Sequence, residues 1–146
     1  MIRLLKYPEL CFAVLPLLLL GCAGPITMNK IQHIERGIHS DSLSSMVERK
    51  PARVFTVVDP ENGLEYQVQI YPMQTGTETH YVPGYYIGDV YYFGGYETYS
   101  VNEDFAFLFF EDSLVFWGFL HEFARSDDPL VRRLAPLIIE MSGKGR

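Results

Sequence analysis

Residues 104–122 constrain this chain more than any other stretch, because they hold two apolar runs that meet at Asp112-Ser113 and show no alternation. On a strand, Phe105, Phe107 and Phe109 point to one side, and Ala106, Leu108 and Phe110 to the other. In the returning run Val115, Trp117 and Phe119 oppose Leu114, Phe116 and Leu120. A hairpin apolar on both faces must be covered on both. The candidates for the second cover are the tyrosine-rich stretch before it, the helix after it, or another protein.

The helix after it spans 128–141, with Asp128 as N-cap and Pro129 at the first helical position. Leu130, Val131, Leu134, Leu137, Ile138 and Met141 lie on one stripe, and Pro136 is expected to kink or split the helix. Residues 142–146 read as a frayed tail. Upstream, residues 28–36 form a short helix with Met28, Ile31 and Ile34 on one side, stopped by Gly37. Ser40 or Asp41 caps a second helix running to about Arg49, with Leu43, Met46 and Val47 inward, and Pro51 closes it. Residues 53–59 are β-branched and aromatic, hence extended. Asp59-Pro60-Glu61-Asn62-Gly63 is a turn, with positive φ supplied by Asn-Gly. Residues 64–71 alternate Tyr66, Val68 and Ile70 against Glu65, Gln67 and Gln69, a strand with one wet face.

The fold class that follows is α+β: two short N-terminal helices packed on a three- to four-stranded antiparallel sheet, with a C-terminal helix, in one domain over 28–146. Residues 72–103 stand apart as a Tyr/Gly-rich insertion, holding Tyr81, Tyr85, Tyr86, Tyr91, Tyr92, Tyr96 and Tyr99, seven of the ten tyrosines. A long structureless segment is unusual inside a compact domain. A hairpin of residues 85–92 against 96–101 is therefore expected there, with the remainder mobile. Tyrosine offers a large contact area at small entropic cost. These seven are candidate partner-binding residues, for a protein or for the sugar rings of peptidoglycan, unless they serve as the lid on the Phe105–Phe119 hairpin.

At the other end, Arg3 and Lys6 precede an apolar run over residues 10–20, too short to span a bilayer. That run ends in Leu19-Leu20-Gly21-Cys22, which resembles the lipobox of bacterial lipoproteins. The resemblance implies a signal peptide over 1–21, cleavage before Cys22, acylation (palmitate included) of Cys22, and a tether over 22–27. Several acyl chains hold a protein firmly on a membrane. Ala23 follows the cysteine where inner-membrane retention in enteric bacteria uses aspartate, which implies the outer membrane, on its periplasmic face. Cys11 would be discarded and Cys22 blocked, leaving no thiol for a disulfide, a metal or nucleophilic chemistry.

The order of elements is also similar to that of the small SmpA/OmlA-type lipoproteins, one of which is an accessory subunit of the outer-membrane β-barrel assembly machinery. The residues that carry the resemblance are Ile34-Glu35-Arg36-Gly37-Ile38-His39-Ser40, then Leu43, Val47 and Pro51, then the strands over 66–71, 105–110 and 114–119. Arg49 stands where that family has a glycine, and the insertion and the C-terminal helix lie outside its core. The resemblance implies a non-enzymatic scaffold or partner-binding module with an envelope protein as partner, in outer-membrane assembly or integrity. A periplasmic glycan-binding module using the tyrosines is the alternative.

Catalytic chemistry is hard to place. His121-Glu122 lacks the second histidine of a metalloprotease helix, since Arg125 stands there. His33, His39 and His80 show no ligand spacing, and Asp127-Asp128 is read as capping. No catalytic residue, metal ligand or cofactor is expected. From residue 54 to 124 there is no Lys or Arg, against eleven carboxylates. Such a surface repels phosphate and argues against nucleic acid.

Overall fold

The computed structural model describes residues 25–143, so Cys22 and the leader before it lie outside the described residues. The chain is α+β, built on a four-stranded antiparallel sheet. Its strands are β1 (Arg53–Val58), β2 (Glu65–Val82), β5 (Gly95–Phe110) and β6 (Ser113–Phe119), in the order β1-β2-β5-β6. A second, two-stranded sheet pairs β3 (Tyr85–Ile87) with β4 (Val90–Tyr92). Two short helices, α1 (Met28–Ile31) and α2 (Ser40–Met46), precede the sheet. A 3₁₀ helix (Leu120–Arg125) and α3 (Pro129–Gly143) follow it.

Both faces of the β5–β6 hairpin are covered. On one face Tyr71, Met73, Phe105, Phe107, Phe109 and Leu114 pack with Ile26, Ile31, Ile34, Leu43 and Val47 of the N-terminal segment. On the other, Val57, Tyr66, Val68, Ile70, Ala106 and Leu108 pack with Phe123, Val131, Leu134, Ala135 and Ile138. The C-terminal helix, not the tyrosines, is the second cover. Asp128 caps it as expected, its Oδ1 accepting from the backbone N–H of Leu130 at 2.9 Å. Pro136 does not split it. Pro136 and Arg132 are both exposed, so the proline lies on the solvent side of the helix.

Several local expectations change. The first helix stops at Ile31 instead of Arg36, and the second at Met46 instead of Arg49. The cap of α2 is His39, whose Nδ1 accepts from Asp41 N–H at 3.3 Å, so Ser40 and Asp41 are already helical. Ser40 instead binds the hairpin turn, its N–H donating to Asp112 O at 2.8 Å and its hydroxyl to Asp112 Oδ1 at 3.2 Å. That turn is Glu111-Asp112, both with positive φ (46° and 62°), the mirror-image geometry that matches strand twist. The register shifts between Leu108 and Phe109, a bulge that puts Leu114 with Trp117 and Phe119 and sends Val115 to the opposite face. In the β1–β2 turn only Gly63 takes positive φ (73°), not Asn62.

The face of β2 expected to be wet is partly closed. Gln69 is buried, opposite Phe107. It is satisfied there by donating to Ser40 O and to Gln67 Oε1 and by accepting from the Tyr71 hydroxyl at 3.1 Å. Asp59 is fully buried at the end of β1 and held by Arg133 of α3, at 2.8 and 2.6 Å to its two oxygens. Among the described residues no buried side-chain polar atom lacks a partner.

Residues 72–103 do form a hairpin, but its strands and partners differ from those expected. β2 and β5 simply continue past the sheet as a two-stranded arm, in register from Gly76↔Val101 to Val82↔Gly95. Tyr85–Ile87 pairs with Val90–Tyr92, not with residues 96–101. Pro72 lies inside β2 rather than ending it. Its carbonyl accepts from Ile26 N–H at 3.2 Å on the outer edge, so its missing N–H also falls on that edge and costs the β2–β5 ladder nothing.

Candidate functional site

Beyond Met73 and Glu103 the arm leaves both covering layers, its β2–β5 ladder running roughly 25 Å at strand rise to Val82 and Gly95, with the β3–β4 hairpin after it. Its sequence explains its form. Thr75, Thr77 and Thr79 are β-branched, and Thr79 Oγ1 meets Thr98 Oγ1 at 3.1 Å across the pair. Between Val82 and Tyr85 the chain passes through Pro83-Gly84, opposite Phe93-Gly94. A Cβ on Gly94 would lie 2.5 Å from Val82 O, and one on Gly84 would lie 2.2 Å from the Tyr91 hydroxyl. The glycines let two backbones and a tyrosine ring meet closely at this wrist. Gly88, with φ 59°, turns the tip.

All seven candidate tyrosines are on the arm, and all are exposed, Tyr86 by 71% and Tyr96 by 78%. Six of them meet each other across the strands rather than the core, while Tyr99 meets His80. Tyr81 packs edge-on to Tyr96 with centroids 5.4 Å apart, Tyr85 stacks on Tyr92 at 5.4 Å, and Tyr86 meets Tyr91 at 4.8 Å. Tyr91 also packs against Phe93, which is 89% exposed. Phe93, Ile87 and Val90 are exposed beside these tyrosines and were not among the candidate contact residues. The signal was present in their position among tyrosines, next to turn glycines.

Because opposed residues share a face, the arm has two unlike sides. One carries Thr77, Thr79, Tyr81, Tyr96, Thr98 and Ser100. The other carries Glu78, His80, Glu97 and Tyr99, continuing to Glu103 at the foot. There His80 Nε2 lies 3.3 Å from Glu78, and the Tyr99 hydroxyl donates to Glu97. That hydrogen bond, then partial burial, then the Glu97 charge raise the Tyr99 pKa. Tyr85 and Tyr91 fall on opposite sides of the tip hairpin, so they do not share one sugar-binding groove.

At the foot, β6 ends opposite Phe105 and the chain turns into the 3₁₀ helix. A groove of about 450 Å³ opens there, lined by Asn102, Glu103 and Asp104 of β5, by Leu120 and His121, and by Ile139 of α3. His121 Nδ1 stands 3.2 Å from Glu103, and Asp104 binds Arg53 at 2.5 Å. His39 is a cap, and among the described residues no three or more His, Cys, Asp or Glu gather as a metal site would need. On the opposite edge at the same level, Ile26 lies beside Met73 as a short parallel bridge. No described helix is long and apolar enough to cross a membrane. No family model, curated protein or solved structure matches this chain.

Proposed function

We propose that this chain is a lipid-anchored envelope protein that binds a protein partner through its tyrosine arm, without chemistry of its own. The observation that carries this reading is the placement of seven tyrosines on an exposed arm that the core does not use. Large aromatics exposed together mark interaction surfaces. The arm also carries carboxylates and no Lys or Arg, which selects for a partner of opposite charge.

The anchor in this reading is Cys22, acylated after removal of residues 1–21, on the periplasmic face of the outer membrane. Ile26 is hydrogen-bonded to the foot of the arm, and the chain between residues 22 and 26 spans at most about 14 Å. An acylated Cys22 would therefore hold the foot of the arm near the lipid surface, with the tip free to reach away from it. In this reading the chain serves as a scaffold, as its sequence resemblance to the SmpA/OmlA-type lipoproteins implies. Release of a Cys22→Ala variant into the soluble fraction is expected; retention in the membrane would end the anchor reading.

The test of binding is cross-linking in intact cells, extraction through a C-terminal tag, and mass spectrometry. It is run on the protein and on a version with residues 76–100 replaced by a short Gly-Ser loop. The replaced residues begin at the β-bulge between Gln74 and Gly76, where the register of the arm shifts from that of the core ladder. An envelope protein captured by the first and lost from the second is the expected result. A partner retained by both would move the function to the core, and none from either would remove the partner reading.

A further inference from the structure

The geometry points to the foot of the arm as a strand-addition site for an extended basic polypeptide, received on the outer edge of β5. This inference rests on the partner-binding reading and names where the partner enters and what it carries.

Three observations converge there. The outer edge of β5 is paired by β6 only as far as Phe105, while the strand continues to Gly95. Unpaired strand edges accept further strands. The groove opens where that edge is first freed, and Leu120 and Ile139 give it an apolar wall on the α3 side. On the other side of the strand Glu103, Tyr99 and Glu97 fall on one face, Glu97 about 20 Å along from Glu103.

A strand laid in this groove would place alternate side chains against Leu120 and Ile139 and the intervening ones beside Glu103, Tyr99 and Glu97. The matching chemistry is an alternating apolar and cationic segment. Arginine suits it best, pairing with the carboxylates and stacking on Tyr99. The cation beside the groove, Arg53, is tied to Asp104 and Ser142 O, and residues 54–124 add no Lys or Arg to repel the peptide along Glu103, Tyr99 and Glu97. At the same level on the opposite edge the protein already pairs a single extended residue, as an isolated parallel bridge. Ile26 donates to Pro72 O at 3.2 Å and accepts from Gln74 N–H at 3.0 Å.

The experiment measures fluorescence anisotropy of a labelled Arg-Val alternating peptide of about eight residues, within ordinary strand length, on the full detergent-solubilised protein. Binding is expected, with roughly tenfold weakening by Glu103→Gln, the size of a lost charge-assisted hydrogen bond. Ile139→Lys, which sets a cation in the wall, should weaken it further. An Arg-Val peptide N-methylated at alternate backbone positions should not bind. No binding of the parent peptide would overturn the proposal. So would equal binding of a Glu-Val peptide, or equal binding of the N-methylated one. A dimer in sedimentation that the peptide does not displace would assign the edge to a second copy instead. A partner captured in cells while the peptide fails would sink this site alone. Peptide binding with no cellular partner would sink the partner reading alone.

Discussion

Phe107 and Tyr86 are both aromatic residues on strands, yet they answer to different physics. Phe107 is fully buried and meets Tyr71 edge-on at 5.5 Å, so Phe107→Ala should cost about 3–5 kcal/mol in urea unfolding. Phe107→Asp should abolish the cooperative transition, because a buried charge without a partner is not tolerated. Tyr86→Ser removes an exposed ring and should cost less than about 1 kcal/mol. Asp59 brings pH into the balance. Its pKa is lowered first by hydrogen bonds from Arg133, against its own desolvation, so its contribution is present above the ordinary carboxylate range and lost as pH falls through the depressed value. An Arg133→Gln variant leaves that carboxylate buried without its counter-charge. The stability gap between protein and variant should be widest at neutral pH and close below about pH 4; a constant gap would mean the pair is not coupled to folding. At the alkaline end, burial pushes Tyr71 up to about 12, so folding stability should decline as pH rises above about 10, where the unfolded chain ionises. Neither Gln69 nor Asp59 was legible as buried in the sequence. Polarity predicts exposure until a specific partner removes the penalty, and those partners, Ser40 O and Arg133, come from distant parts of the chain.

Strands and turns show the same division. The cap at Asp128 and the turn ending in Gly63 were readable, because each rests on neighbours in sequence. The two-sided apolar hairpin was readable too, and it required two covers, which the fold supplies. The length of β2 was not. Pro72 looks like a strand end, and only the pairing of Ile26 shows that its missing N–H falls on the outer edge. Past Met73 both faces of the strand are largely polar as far as His80, so no hydrophobic alternation marks it. The 111–112 turn offers an element-scale test. Glu111 holds φ 46° although Asn or Gly suits that geometry better, and Glu111→Asn should raise stability by about 0.5–1 kcal/mol in urea unfolding. At the wrist, Gly94→Ala puts a methyl against Val82 O. It should shift amide resonances of residues 82–95 while leaving those of Phe107 and Leu134 unmoved.

At the scale of the molecule, among the described residues, 25–73 and 103–143 contain all the buried hydrophobic side chains, and the arm between them contains none. The sheet is covered on one side by the N-terminal segment and on the other by α3, so the tyrosines are not needed as a lid. The proposed partner contact rests on this exposed aromatic ribbon outside a complete core. Thermal melting of the version in which residues 76–100 are replaced by a short Gly-Ser loop tests this separation most directly. A single cooperative transition within about 5 °C of the parent is expected, the shift that about 1 kcal/mol produces in a domain of this size. Loss of the transition would show that the tyrosine arm is part of the core after all.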